Sequence, residues 1–130
     1  MPKLSTLSEK RLENVDPRLQ KIVRKAIEIT DFAVICGHRN KEDQDRAFAE
    51  KKSKLKWPNS KHNAIPSKAI DLAPYPIDWH DIPRFAFLAG VISTIAAQEN
   101  IKIRWGGDWD QDGFTKDERF LDMPHFELVD

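Results

Sequence analysis

The segment Lys68-Ala69-Ile70-Asp71-Leu72-Ala73 places one charged residue in an otherwise apolar run. Successive side chains of a strand point to opposite faces, so Asp71 shares its face with two alanines, whereas Ile70 and Leu72 share the other face. A carboxylate in such a strand is costly unless it is paired or binds a metal, and the small alanines leave room above it. The segment therefore predicts a strand that presents Asp71 to a functional site.

Helix and strand signals surround this segment. Asp16 is an N-cap acceptor ahead of a proline at the first helical position, and Asn40 can cap a second helix in which Ala47 and Phe48 face inward. Residues 52–68 are rich in proline, asparagine, serine and lysine, which predicts a loop. The predicted helices run from Pro17 through Ile27, from Asn40 to about Glu50 and from Ile82 to Asn100, and further strands are predicted at Phe32–Cys36, Ile101–Trp105 and His125–Val129.

The long predicted helix is the clearest core element. Its apolar residues recur at helical spacing and should face the interior; they are Phe85, Leu88, Ala89, Ile92, Ile95 and Ala96. Helices and strands alternate without a regular βαβ repeat, which favours an α+β fold with a small antiparallel sheet and flanking helices. A chain of 130 residues suits a single domain, 1–130.

Composition excludes several classes of protein. Lys plus Arg and Asp plus Glu both total 21, so the chain lacks the basic surplus typical of nucleic-acid binders. No stretch is apolar enough to span a bilayer, and the N-terminus lacks the apolar run of a signal peptide. Cys36 is the only cysteine, which excludes an intrachain disulfide, and its place in an apolar strand favours an inert thiol. We expect synthesis in a reducing cytoplasm and no membrane insertion.

Two histidines and a second aspartate accompany Asp71. His62 lies nine positions earlier in the predicted loop, and His125 opens the last predicted strand. Zinc readily accepts two imidazoles and a carboxylate, and a catalytic site keeps one position open for water. Asp122 precedes His125 by three residues, and Pro124 should interrupt the strand so that both side chains converge. By spacing alone these residues could equally be surface groups or satisfied core groups.

The three motifs resemble those of a known family. Ser60-Lys61-His62, Ala69-Ile70-Asp71 and Asp122-Met123-Pro124-His125 are similar to the Ser-x-His, Ala-x-Asp and (Glu/Asp)-x-x-His motifs of zinc D-alanyl-D-alanine carboxypeptidases and L-alanyl-D-glutamate endopeptidases. The resemblance covers nearly the whole chain and is nearest to single-domain phage endolysins. This chain differs from many relatives in two ways. The loop between its first two motifs is longer and contains proline, and it has an aspartate where they have glutamate.

The resemblance implies a zinc enzyme with the small α+β fold shared with the zinc domain of hedgehog proteins. His62, Asp71 and His125 would be the zinc ligands and Asp122 the catalytic base. The implied activity is cleavage of the L-alanyl-D-glutamate bond of peptidoglycan stem peptides by a monomer. Because we expect no signal peptide, an enzyme made in the host cytoplasm would reach periplasmic peptidoglycan through a holin-like permeabilising protein. Two alternatives stay open: a D-alanyl-D-alanine carboxypeptidase or dipeptidase with the same zinc site, and a non-enzymatic metal-stabilised binding module.

Arg39 follows the first predicted strand, where the family usually has an arginine. Its guanidinium could bind a carboxylate of the stem peptide through two hydrogen bonds. It could equally stabilise the oxyanion that forms on the attacked carbonyl. The resemblance therefore assigns Arg39 to the catalytic site.

An acidic stretch resembles the first half of a calcium loop. Asp108, Asp110 and Asp112 place oxygens at alternate positions ahead of Gly113. The twelfth position is Arg119 rather than the bidentate glutamate of that motif. The stretch is thus either a regulatory calcium site or an acidic solvated loop.

Overall fold

The computed structural model describes residues 2–109, 111 and 122–129. The helices are α1 (Thr6–Leu12), α2 (Pro17–Ala26), α3 (Lys41–Ala49) and α4 (Ile82–Gln98), the strands are β1 (Phe32–Cys36), β2 (Ala69–Pro74), β3 (Ile103–Trp105) and β4 (His125–Leu128), and Lys61–Asn63 forms a 3-10 turn. The predicted α+β fold is confirmed, and the predicted helices and strands occur with ends shifted by at most two residues. No helix in the described ranges has the length and apolar character needed to cross a membrane.

The sheet has the order β1-β2-β4-β3, and each neighbouring pair is antiparallel. β2 is therefore an inner strand. Asp71 lies directly opposite His125 on β4, and Arg104 on β3 lies opposite Glu127. This pairing joins two segments that are distant along the chain.

The hydrophobic core lies between one face of the sheet and helices α2 and α4. All six residues predicted to face inward from α4 are buried. Ile70 and Leu72 are each 1% exposed and belong to this core, as the alternation of the strand predicts. Since Asp71 points to the opposite face, the site is formed on the side of the sheet away from the core.

Helix α1 was not predicted from the sequence. Its N-cap is Ser5, whose side chain accepts a hydrogen bond from the backbone N–H of Ser8 at 3.1 Å. Ser8 Oγ in turn accepts from the backbone N–H of Val34 at 2.9 Å, and Arg11 donates to the Val34 carbonyl at 3.0 Å. Because β1 is an edge strand, these side chains supply partners that a neighbouring strand would otherwise provide.

The prediction that Phe48 faces inward from α3 is wrong. Phe48 is 37% exposed, and the buried residue of α3 is Gln44, at 0% exposure. A polar side chain can occupy an interior position when its hydrogen bonds are satisfied, as those of Gln44 are. Apolar periodicity cannot detect such a helix face.

Candidate metal centre and active site

The side chains of His62, Asp71 and His125 converge, and one nitrogen or oxygen atom of each forms a corner of a small triangle. His62 Nε2 lies 3.2 Å from Asp71 Oδ1 and 3.2 Å from His125 Nδ1, and the last two atoms are 3.1 Å apart. Tetrahedral zinc, with bonds of about 2.0–2.1 Å, separates its ligand atoms by about 3.3 Å. The triangle therefore has the dimensions and the donor set of a zinc site with one position left open.

Each member of the triangle is placed by local structure. Asp71 and His125 are opposite each other on paired strands. His62 lies in the 3-10 turn, where Ser60 Oγ accepts from the His62 backbone N–H at 3.2 Å and the Asn63 side chain accepts from the Ser60 N–H at 3.0 Å. This capping box holds His62 in a buried position, at 2% exposure.

The second nitrogen of each imidazole has an acceptor. His62 Nδ1 lies 2.7 Å from the Gly37 carbonyl, and His125 Nε2 lies 2.8 Å from Glu127 Oε1. An oxygen acceptor requires N–H on these nitrogens, so each ring, once it is neutral, directs its remaining lone pair at the triangle. Hydrogen bonds of this kind orient histidines that bind metals.

Charge at the triangle favours a bound cation. Burial by itself would lower the pKa of His62, but the adjacent carboxylate of Asp71 outweighs burial and raises that pKa to about 10. Burial would raise the pKa of Asp71, but His62 and His125 outweigh burial and lower it. A proton or a metal ion is thus strongly attracted to this position, and the two compete for the same lone pairs.

Glu127 connects His125 to the edge of the sheet. Its Oε2 accepts from Arg104 Nη2 at 2.8 Å. Burial would raise the pKa of Glu127, but the hydrogen bonds from His125 and Arg104 outweigh it and hold the pKa at about 2. Glu127 is therefore an anion at neutral pH. The indole ring of Trp109 lies beside this group, with its centroid 5.4 Å from that of His125.

Asp122 lies beside the triangle, with Oδ2 4.0 Å from His125 Nδ1. The His125 N–H donates to the Asp122 carbonyl at 3.0 Å, so the two residues form a turn rather than successive strand positions. The structure thus brings the two side chains to the same place, as the break at Pro124 led us to expect. Burial, followed by the nearby charge of Asp71, raises the pKa of Asp122 to about 6.

Gly106 allows this turn to approach β3. The Asp122 N–H donates to the Gly106 carbonyl at 2.9 Å. A Cβ atom on residue 106 would lie 2.1 Å from the Asp122 carbonyl oxygen, a distance that would displace the turn. Glycine is therefore required at this position for Asp122 to stand beside His125.

Arg39 lies on the other side of Asp71. Its Nη2 is 3.6 Å from Asp71 Oδ2, while its Nη1 donates to Gln44 Oε1 at 3.0 Å. The two carboxylate oxygens of Asp71 thus have different roles, because Oδ1 faces the histidines and Oδ2 faces the guanidinium. The structure brings Arg39 to the site that the sequence analysis assigned to it.

Cys36 offers an alternative ligand set. One potential ligand atom from each of Cys36, His62 and Asp71 lies within 4.8 Å of the others, so this group could also hold a metal ion. Cys36 Sγ is 3.9 Å from His62 Nδ1, the nitrogen that already contacts the Gly37 carbonyl. The group that includes His125 is tighter and leaves that contact intact, so we favour it.

The calcium prediction is not tested by the structure. Asp110 and Asp112 lie outside the described residues, and the Asp108 N–H donates to the Trp105 carbonyl at 3.0 Å. Calcium binding stays a prediction. His38, which is not part of the triangle, lies 3.1 Å from the Ala64 carbonyl through Nδ1.

Two residues of the site, Glu127 and Gln44, were not predicted from the sequence. Glu127 lies two positions after His125 on the same strand, a spacing that places both side chains on one face. That signal could have identified it. Gln44 has no comparable signal, because its contacts with Arg39 and Asn63 depend on the packing of α3 against a loop.

Comparison with known proteins identifies the class to which this fold and site belong. The structure is similar to that of the Serratia marcescens L-Ala D-Glu endopeptidase ChiX, with a TM-score of 0.77 and 26% identity over 98% of this chain and 90% of that chain. The sequence is 38% identical to the L-alanyl-D-glutamate peptidase of Escherichia phage T5 over 130 aligned positions, which cover 94% of each protein. The family model of phage L-alanyl-D-glutamate peptidases matches residues 1–129. The chain belongs to this family, which confirms the resemblance identified from its motifs.

Proposed function

We propose that this protein is a zinc-dependent peptidoglycan endopeptidase that cleaves the L-alanyl-D-glutamate bond of murein stem peptides. The observation that carries the proposal is the triangle of His62, Asp71 and His125 atoms, 3.1–3.2 Å apart, with the Asp122 carboxylate 4.0 Å from it. Membership of the phage L-alanyl-D-glutamate peptidase family supports the substrate and the bond.

His62, Asp71 and His125 would hold the zinc ion. Two imidazole nitrogens and one carboxylate oxygen form a donor set that zinc binds readily. When bound, zinc supplies a Lewis acid that polarises the scissile carbonyl and lowers the pKa of water. The Gly37 carbonyl and the Glu127 carboxylate hold the other nitrogens of the two imidazoles, so that the remaining nitrogens would be available to the ion.

Asp122 acts as the general base. One of its carboxylate oxygens takes the proton of the attacking water and then passes it to the nitrogen of the departing D-glutamate residue. The bond from the alanine carbonyl carbon to that nitrogen breaks, and the products are an alanine carboxylate and a free amine. A pKa near 6 keeps Asp122 ionised at neutral pH and still basic enough to hold the proton transiently.

Arg39 binds an oxygen of the substrate. Its guanidinium stands beside Asp71 and is 15% exposed, so it can contact a molecule that enters the site. The target is either a carboxylate of the stem peptide or the oxyanion on the attacked carbonyl. A rise in KM on replacing Arg39 would indicate the first, and a fall in kcat the second.

The experiment that tests the proposal is Asp122→Asn. The amide keeps the shape of the side chain but cannot accept the proton, so we expect kcat to fall about 10²–10⁴-fold while zinc content and unfolding temperature stay near those of the wild type. The matched control is Asp45→Asn, which alters an exposed carboxylate paired with Lys41. Wild-type lysis of murein by the Asp122 variant would refute the mechanism.

Analysis of the products separates the alternatives. An L-alanyl-D-glutamate endopeptidase exposes the amine of D-glutamate, whereas a D-alanyl-D-alanine carboxypeptidase releases free D-alanine, and mass spectrometry of digested murein distinguishes them. Absence of any new amine would favour the non-enzymatic binding module. The monomeric state and delivery by a holin-like protein stay predictions.

A further inference from the structure

Gln44 is a fully buried polar residue on a helix that is otherwise mostly exposed. Its Oε1 accepts from Arg39 Nη1 at 3.0 Å and from Asn63 Nδ2 at 3.2 Å. Its Nε2 donates to the Leu55 carbonyl at 2.6 Å and to Ser53 Oγ at 3.0 Å. Both hydrogens and both acceptor positions of the amide are therefore used, which gives the side chain a single orientation.

The backbone of Arg39 is held by the turn that carries His62. The Arg39 N–H donates to the His62 carbonyl at 2.9 Å, and Asn63 Nδ2 donates to the Arg39 carbonyl at 3.0 Å. The backbone thus has a defined position relative to the metal triangle. The long side chain would still sample several rotamers unless its far end were also held.

Gln44 holds that far end. It binds Nη1, so that Nη2 points toward Asp71 Oδ2 at 3.6 Å, slightly longer than a hydrogen bond. One side of the guanidinium is therefore anchored in the protein while the other stands at the candidate site without a short bond to Asp71. An arginine held in this way loses little rotational freedom when it binds a substrate oxygen.

We propose that Gln44 is a positioning residue, which anchors Nη1 of Arg39 so that Nη2 faces the substrate beside the triangle. The inference rests on the proposed function, since it requires Arg39 to bind substrate. It assigns a role in substrate binding or turnover to a buried residue of α3 whose four side-chain hydrogen bonds go to Arg39, Ser53, Leu55 and Asn63 rather than to a candidate metal ligand.

The two ends of the amide allow this role to be separated from a structural one. The oxygen end serves Arg39 and Asn63, whereas the nitrogen end fastens the loop at Ser53 and Leu55. A change at the nitrogen end alone should affect stability and leave the position of Arg39 intact. A change that removes the oxygen should release the guanidinium.

The test compares kcat and KM of the zinc-loaded protein on murein stem peptides for Gln44→Met, Arg39→Met and the double variant. We expect Gln44→Met to lower kcat/KM about tenfold. The loss should appear in the same constant, kcat or KM, that Arg39→Met changes. The double variant should be no worse than Arg39→Met, because Gln44 acts through Arg39. Zinc affinity should stay within about twofold of the wild type in all three variants.

Two control variants complete the design. Gln20→Met removes a glutamine side-chain hydrogen bond of 2.9 Å to the Val15 carbonyl and should leave kcat and KM unchanged. Ser53→Ala removes a partner from the nitrogen end of Gln44 and should lower the unfolding temperature without changing kcat/KM. A loss of activity in Ser53→Ala as large as that in Gln44→Met would indicate a structural role and overturn the proposal.

Gln44→Glu tests the proposal even if Gln44→Met does not fold. Gln44→Glu keeps an oxygen for Arg39 and gives up the donor used by Leu55, so we expect less stable protein that retains more kcat/KM than Arg39→Met. An equal loss of kcat/KM in Gln44→Glu and Arg39→Met would overturn the positioning role. If Arg39→Met itself keeps full activity, the proposed role of Arg39 fails; if only the Gln44 variants keep it, the positioning role alone is wrong.

Discussion

Replacing Glu127 by glutamine should weaken zinc binding without unfolding the protein. The carboxylate accepts from His125 Nε2 at 2.8 Å and from Arg104 Nη2 at 2.8 Å, and its side chain is 9% exposed. The amide of Glu127→Gln can still accept from one of these donors, but its NH₂ group then faces the other donor. The variant therefore loses the charge that orients His125 and one of the two hydrogen bonds.

The magnitude follows from these contacts. A hydrogen bond to a charged group contributes about 1.5–3 kcal/mol and one between neutral groups about 0.5–1.5 kcal/mol, so the change at His125 is about 1–1.5 kcal/mol. At about 1.4 kcal/mol for each factor of ten, the zinc affinity should fall about tenfold. Residues that orient metal-binding histidines typically contribute about 10–100-fold, which agrees with this value.

The assay is competition for zinc between the metal-free protein and a chromophoric chelator, at fixed pH and salt. The matched control is Glu9→Gln, which alters a glutamate paired with an arginine, Arg24, at 2.9 Å on the exposed surface. We expect wild-type zinc affinity for the control. A folded Glu127→Gln protein with a zinc affinity within about twofold of the wild type would refute the orienting role of Glu127.

Two further predictions concern pH and the core. Because the pKa of His62 is raised to about 10, this histidine is protonated at neutral pH in the metal-free protein, so zinc must displace its proton. The apparent zinc affinity should therefore rise with pH and fall as the solution becomes acidic, and calorimetry in buffers of different ionisation enthalpy should detect proton release; an affinity independent of pH would contradict this. Ile92→Ala, at a side chain that is 1% exposed, should lower the free energy of unfolding in urea by about 2–5 kcal/mol. Phe87→Ala, on the same helix but 62% exposed, should change it by less than about 0.5 kcal/mol, and equal losses would show that the core is assigned wrongly.

Much of the local structure could be predicted from the chain alone. Asp16 and Asn40 are N-caps in the structure as predicted, with hydrogen bonds of 2.9 Å to the backbone of the first turn. The inward face of α4 was identified from its apolar spacing. Such signals are readable because caps and amphipathic faces depend on residues within one or two turns of each other.

Other features left little trace in the sequence. Helix α1 has seven residues, too few for a clear apolar period, and apart from the buried Leu12 it is attached to the edge of β1 by side-chain hydrogen bonds. The burial of Gln44 in place of Phe48 could not be foreseen, because it depends on partners from a loop and from Arg39. Short helices and polar interior positions are decided by tertiary contacts rather than by propensity.

The sequence by itself determined the chemical character of this protein: an α+β chain with two histidines and two aspartates in motifs typical of a zinc peptidase family. Only the tertiary structure decided which atoms meet. Asp71 faces His125 because β2 pairs with β4 in one register, and a shift of one residue would turn Asp71 to the other face. His62 Nε2 and His125 Nδ1 meet because the other nitrogen of each ring is held by the Gly37 carbonyl or the Glu127 carboxylate, and those partners come from separate parts of the fold.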